Sequence, residues 1–98
     1  MNLAKVLGTV VSSQKEESLA GLKFLLLGQL DAEGDPTGAS LVAVDSVGAG
    51  VGELVLYATG SSARQTRVTE GRPCDAVVMG IVDSWEIEGD LRYKKGAE

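Results

Sequence analysis

Nucleophiles, bases and metal ligands are scarce in this chain of 98 residues, and the scarcity bounds its chemistry. There is no histidine. That removes Ser-His-Asp and Cys-His arrangements and the commonest metal ligand. Ser61 and Ser62 sit in Gly60-Ser61-Ser62-Ala63-Arg64, which is not the G-x-S-x-G elbow, and no imidazole is present to take their protons. Ser62 followed by Gln65 matches a capping box instead, so Ser62 is expected to cap a short helix. The sole cysteine, Cys74, has no partner for a disulfide or a redox pair and reads as a small, partly buried hydrophobe. Asp31, Glu33 and Asp35 alternate like the start of a calcium loop, but the residues an EF-hand requires afterwards are missing. A solvated acidic loop is expected there. No two carboxylates are marked out as an acid–base couple. The sequence therefore predicts no catalytic residue, no cofactor, no metal site and no enzyme.

The run Gly48-Ala49-Gly50-Val51-Gly52 invites comparison with a phosphate-binding fingerprint. Position 53 is Glu rather than the final Gly, and Glu53 to Thr59 reads as a strand, where phosphate binding needs a helix N-terminus. A tight turn needing positive φ is the expectation. A loop that approaches a symmetry axis, where missing side chains allow close packing or leave an opening, is the second reading.

The elements that must position these residues are mainly strands. Strands are expected over Leu3–Ser13, Leu22–Leu30, Ser40–Val47, Glu53–Thr59 and Asp75–Ile87, separated by turn-rich segments such as Asp31–Ala39. A short helix opens at Gly60 and is ended by Gly71 and Pro73. The first four strands are joined by short connections, so antiparallel pairing follows. The fold class predicted is mainly all-β: a small five-stranded OB-like Greek-key barrel with one short helix, placed after the fourth strand rather than after the third. Residues 1–87 form one domain, and 88–98 read as a polar tail that packs on a neighbouring subunit or stays disordered.

Bulk composition narrows the partners. Hydrophobic residues make up 44%, aromatics only 4%, and the formal net charge is −5. An acidic chain with few aromatics lacks the basic, stacking surface of a nucleic-acid binder and is ill suited to anionic membrane. No nucleic acid and no membrane are expected as partners. Met1–Ser13 lacks a signal-peptide pattern, and no stretch reaches the ~20 apolar residues that span a bilayer. A lone cysteine fits a reducing, cytoplasmic setting.

Strand alternation exposes a problem that a single barrel does not solve. On the second strand, Leu22, Phe24, Leu26 and Leu30 share one face while Leu25 and Leu27 lie on the other. On the fifth, Ala76, Val78 and Val82 oppose Val77, Met79 and Ile81. The helix and loops cover the extra face, or a second subunit does, and burial against a neighbour is favoured because monomers rarely expose large apolar patches. Leu25, Leu27, Val77, Met79 and Ile81 are the expected interface residues. Either an isologous dimer or a head-to-tail ring satisfies this requirement.

Four segments carry a resemblance: Lys5–Val11 (KVLGTVV), Leu41–Glu53 (LVAVDSVGAGVGE), Gly60–Arg64 (GSSAR) and Asp75–Asp83 (DAVVMGIVD). In this order and spacing they resemble the EutN/CcmL family, the vertex proteins of bacterial microcompartments such as carboxysomes. The resemblance covers about residues 1 to 87. It implies an OB-like barrel that assembles as a homopentamer, sits in the shell of a cytoplasmic microcompartment, fills its fivefold corners and meets hexameric shell proteins. It further implies that Gly48, Ala49 and Gly50 lie near the fivefold axis, and that Arg64 bonds across the subunit boundary while Ser62 caps its helix. An OB-type module binding single-stranded nucleic acid or a small ligand is the alternative.

Overall fold

Short strands rich in Val and Leu can bury both edges only by closing on themselves, and this chain does so. In the computed structural model, which describes residues 1–71 and 75–96, the described residues form seven strands. They are β1 (Asn2–Val10), β2 (Phe24–Leu30), β3 (Pro36–Asp45), β4 (Leu54–Thr59), β5 (Ala76–Ile81), β6 (Ser84–Ile87) and β7 (Asp90–Lys94), with 3-10 helices at Glu17–Leu19 and Gly60–Arg64. The expectations for Pro73 and Cys74 lie outside the described residues.

The first five strands close a barrel in the order β1-β2-β3-β5-β4, the Greek-key order of an OB-type barrel. β1 pairs antiparallel with both β2 and β4. β5 slots between β3 and β4, parallel to the first and antiparallel to the second. The parallel pair is reached through a connection that contains β4 and the second 3-10 helix, long enough for a crossover.

Alternation decides what fills the barrel. Ala4, Val6, Leu25, Leu27, Ala43, Val55, Tyr57, Ala76 and Val78 point inward as one buried cluster. Tyr57 keeps a polar handle, its hydroxyl accepting from Gln29 Nε2 at 3.1 Å. A second cluster lies outside the barrel wall: Leu22, Val44, Ala58, Ala63 and Val77. Ala63 of the second 3-10 helix is its lid, and Thr69 fixes that lid by donating its hydroxyl to the Ala63 carbonyl at 2.5 Å.

Several expectations are corrected here. Leu25, Leu27 and Val77 are 4%, 0% and 0% exposed within one chain, so they are not available to a neighbour. Leu25 and Leu27 lie on the face of β2 that turns inward, and Val77 is covered by the 3-10 helix. Ser62 makes no cap to the helix N-terminus. Its hydroxyl donates to the Thr59 carbonyl at 3.3 Å, because a 3-10 helix of five residues puts Ser62 inside the turn rather than before it. The loop expected over Asp31–Ala39 is shorter, since β3 already begins at Pro36. The polar tail expected after residue 87 is instead the second half of a hairpin, with β7 paired antiparallel to β6.

The outer wall is only partly covered. Leu26 on β2 lies opposite Gly8 of β1 on one side and Val42 of β3 on the other. Leu7 follows inward-facing Val6 and faces outward, where it is 50% exposed and lies over Gly28, and the bulge between Val6 and Gly8 keeps Gly8 outward beside it. Leu7, Leu26 and Val42 thus make an apolar stripe across three adjacent strands.

Candidate functional site

The glycine-rich connection between β3 and β4 is a densely hydrogen-bonded loop. It starts at Asp45, only 8% exposed, whose Oδ1 accepts the backbone N–H groups of Val47, Gly48 and Ala49 at 3.0, 3.0 and 3.3 Å. Successive N–H groups converging on one oxygen form a small anion nest, which here stabilises a nearly buried carboxylate of the chain itself. Gly48 and Gly52 have φ of 78° and 90°, where a side chain would be strained. Ser46 ties the start of the loop to β5 by donating to the Val78 carbonyl. Gly52 N–H donates to Val6 O, and Val6 N–H donates to Glu53 O, which ties the end of the loop to β1.

Glu53 closes the loop from inside. Its Oε1 accepts the Gly50 N–H at 2.6 Å, and its Oε2 meets Lys95 Nζ at 2.7 Å. The Lys95 hydrogen bond, followed by the Gly50 N–H, holds the Glu53 carboxyl below its usual range. Glu53 in turn holds the Lys95 ammonium above its usual range. Both acidic residues of the loop are therefore spent on internal bonds. What the loop shows to its surroundings is Gly48, Gly50, and the side chains of Val47 and Val51, 40% and 65% exposed.

This arrangement has the character of a shaped contact surface rather than of a reaction centre. A groove of about 390 Å³ beside the loop is lined by Val11, Lys15, Leu22, Lys23 and Phe24. It brings two ammonium groups near apolar walls, and the one carboxylate lining it, Asp45, is already bonded to the loop. Among the described residues no cluster of three or more His, Cys, Asp or Glu side chains is placed to hold a metal ion. Asp31, compared above with calcium loops, uses Oδ1 to accept from Glu33 N–H and Asp35 N–H at 2.9 and 3.0 Å, so it shapes its own turn. No helix among the described residues is long and apolar enough to cross a membrane.

The residues singled out from the sequence divide into separate places. Gly48, Ala49 and Gly50 share the loop, with Ala49 half-buried against the barrel core. Ser62 and Arg64 lie on the 3-10 helix at the other end of β4, both exposed. Met79 and Ile81 are half-buried on β5. Asp45, Glu53 and Lys95 do more for the loop than any of these, and sequence reasoning misses them as a set. Part of their signal is local: Asp three residues before a Gly marks an Asx-type turn.

Comparison with known proteins decides the family. Residues 1–83 match the family described as ethanolamine utilisation protein EutN/carboxysome. The chain belongs to the EutN/CcmL family. It is 50% identical over 95 residues to the carboxysome shell vertex protein CcmL of Gloeobacter violaceus, covering 97% of this chain and 95% of that protein. The structure of the Gloeobacter CcmL superposes with a TM-score of 0.95 at 49% identity, over 99% of this chain and all of that one. It is also 52% identical over 88 residues to the microcompartment shell vertex protein PduN of Salmonella typhimurium, covering 86% of this chain and 97% of that protein. The pentameric shell protein GrpN of Rhodospirillum rubrum matches with a TM-score of 0.81 at 49% identity, over 89% of this chain and 100% of that one. These EutN/CcmL members are structural shell vertex proteins and not enzymes. The family description matches up to residue 83, and the superposition on the Gloeobacter CcmL, over 99% of this chain, takes in the β6–β7 hairpin as well.

Two measurements check the loop. Asp45→Ala should cost about 1–3 kcal/mol in a urea melt, because it strands several backbone donors, and Asp45→Asn should recover part of the loss. The Glu53–Lys95 bond has a defined pH window. A lowered carboxyl contributes fully above its usual 4.5 and is lost as pH falls through the lowered value. A raised ammonium contributes fully below 10.5 and is lost as pH rises through the raised value, with Asp83 and Tyr93 as the other charged or ionisable groups acting on Lys95. The Gly50 amide resonance should therefore stay constant across neutral pH and titrate with a midpoint below 4.5 on the acid side.

Proposed function

We propose that this EutN/CcmL chain assembles into a ring of five identical subunits that closes the fivefold vertices of a bacterial microcompartment shell. The observation that carries this reading is the near full-length match to shell vertex proteins, including the GrpN structure named as pentameric. The protein is structural, and its contribution is geometric. Sixfold tiles make a flat sheet that does not close, and a fivefold unit removes one sector and forces curvature. Hexameric shell proteins are the partners this geometry requires.

The surface of a single chain supports a ring. A head-to-tail ring buries two different patches of each subunit against its neighbours. The stripe of Leu7, Leu26 and Val42 is an apolar patch left uncovered by the 3-10 helices, with Leu7 and Val42 50% and 48% exposed. Met79 and Ile81, half-buried on β5, extend the candidate interface on the other side of β3. Arg64 is exposed on the 3-10 helix that follows β4, a position within reach of a neighbouring subunit in the ring. The loop at Gly48, Ala49 and Gly50 suits a position near the axis, since its exposed glycines let five copies approach closely without side chains between them.

Native mass spectrometry of the purified chain should return five copies per particle, and a monomer at high concentration would overturn the ring. Val42→Lys should dissociate the particle while leaving the single chain folded, because an unpaired charge in a closed interface costs ~3–5 kcal/mol and an exposed substitution only about 0.5. Arg64→Ala should loosen the ring by roughly ten- to a hundredfold in a dilution assay, the range of a lost hydrogen bond to a charged group. An unchanged dissociation would remove Arg64 from the interface.

A further inference from the structure

We propose that Lys95 is a positioning residue for the glycine-rich loop: the β6–β7 hairpin reaches back to the barrel and holds the Glu53 carboxylate against the Gly50 N–H. Lys95 follows directly on β7, and its ammonium lies 2.7 Å from Glu53 Oε2 while Glu53 Oε1 lies 2.6 Å from Gly50 N. One carboxylate thus bridges the hairpin to the middle of the loop. β6 starts at Ser84, just past the barrel, so the bridge ties the loop to a separate two-stranded sheet.

The hairpin is built so that Lys95 arrives in a defined place. A two-stranded sheet is marginal in water on its own and needs packing to hold it. Trp85 supplies that packing, stacking on Tyr93 with ring centres 5.3 Å apart and donating its indole N–H to the Ala32 carbonyl at 3.0 Å. Its ring covers Gly34, where even a Cβ would approach to 3.1 Å. Arg92 adds an ion pair to Glu33 at 3.3 Å. These contacts fasten the hairpin to the loop between β2 and β3. The base of the hairpin is then closed by Lys95 N–H donating to the Asp83 carbonyl at 2.7 Å, which fixes the Lys95 backbone before its side chain reaches Glu53.

Glu53 needs this partner because its two oxygens do different work. With Lys95 in place, one oxygen is neutralised and the other is left aimed at Gly50. Without it, a partly exposed carboxylate is free to turn to water, and Gly50 loses a charge-assisted acceptor. Where the loop faces the fivefold axis, as proposed above, the clamp also sets the shape of the opening. That consequence rests on the ring reading, whereas the clamp itself does not.

The test uses the full chain and reads the Gly50 amide by NMR, with particle mass measured separately to report on the ring. In Lys95→Met the Gly50 amide should shift upfield and exchange about two- to fivefold faster, the range an exposed ion pair can move a local equilibrium. Lys95→Arg should restore it. Lys94→Met removes an exposed ammonium from the neighbouring position of the hairpin and should leave Gly50 unchanged. An unaltered Gly50 signal in Lys95→Met, or an equal change in Lys94→Met, overturns the proposal whatever the particle mass. A changed mass with the expected Gly50 pattern bears on the ring alone and leaves the clamp standing.

Discussion

Barrel closure through β1 is the constraint on which everything else depends. β1 is hydrogen-bonded to β2 along one edge and to β4 along the other, so the five strands have no free edge among themselves. A barrel this small has one interior, filled by side chains of alternate residues. Every apolar side chain on the outer wall must then find cover elsewhere. The 3-10 helix covers Val44, Ala58 and Val77. Leu7, Leu26, Val42 and Leu56 stay partly exposed, and in the proposed ring a neighbouring subunit is the cover for the stripe that the first three form. In the proposed ring, the need for a partner follows from barrel size rather than from a special binding motif.

Acidic residues in this chain are used as scaffolding. Asp31, Asp45 and Glu53 each turn a carboxylate oxygen onto backbone N–H groups of a nearby turn. Glycine-rich and turn-rich segments leave such donors unpaired, and a carboxylate is a strong acceptor for them. A chain with a net charge of −5 and no histidine can therefore be acidic without being catalytic.

Much of the barrel is legible in the sequence, because β-branched runs and turn residues mark strands independently of their partners. All five barrel strands and the displaced helical segment can be read in their right order, but the fifth strand, expected over Asp75–Ile87, ends at Ile81, and Ser84–Ile87 is β6 of the separate hairpin. Which way β2 faces is not legible. Residues of Phe24–Leu30 are apolar on both sides of the pleat, so parity carries no signal, and only the register with β1 and β3 turns Leu25 and Leu27 inward. The second hairpin escapes sequence reasoning because Asp90–Lys94 is polar and is held by Trp85 and Tyr93 from across the turn. A signal is present even so: Glu88 and Gly89 both adopt positive φ, 51° and 83°, as a two-residue hairpin turn requires, and a glycine in the second place suits it. The Lys95–Glu53 bond joins residues far apart in sequence and has no local signature at all.

Trp85 is the only tryptophan of the chain, and it sits at the junction between hairpin and barrel, bonded to Ala32 and stacked on Tyr93. The protein therefore carries its own optical reporter at the place where the two sheets meet. Indole emission responds to the polarity around the ring, so undocking of the hairpin has a colour change attached to it without any label. Seating of the hairpin can be followed in real time in the purified protein by this one indole.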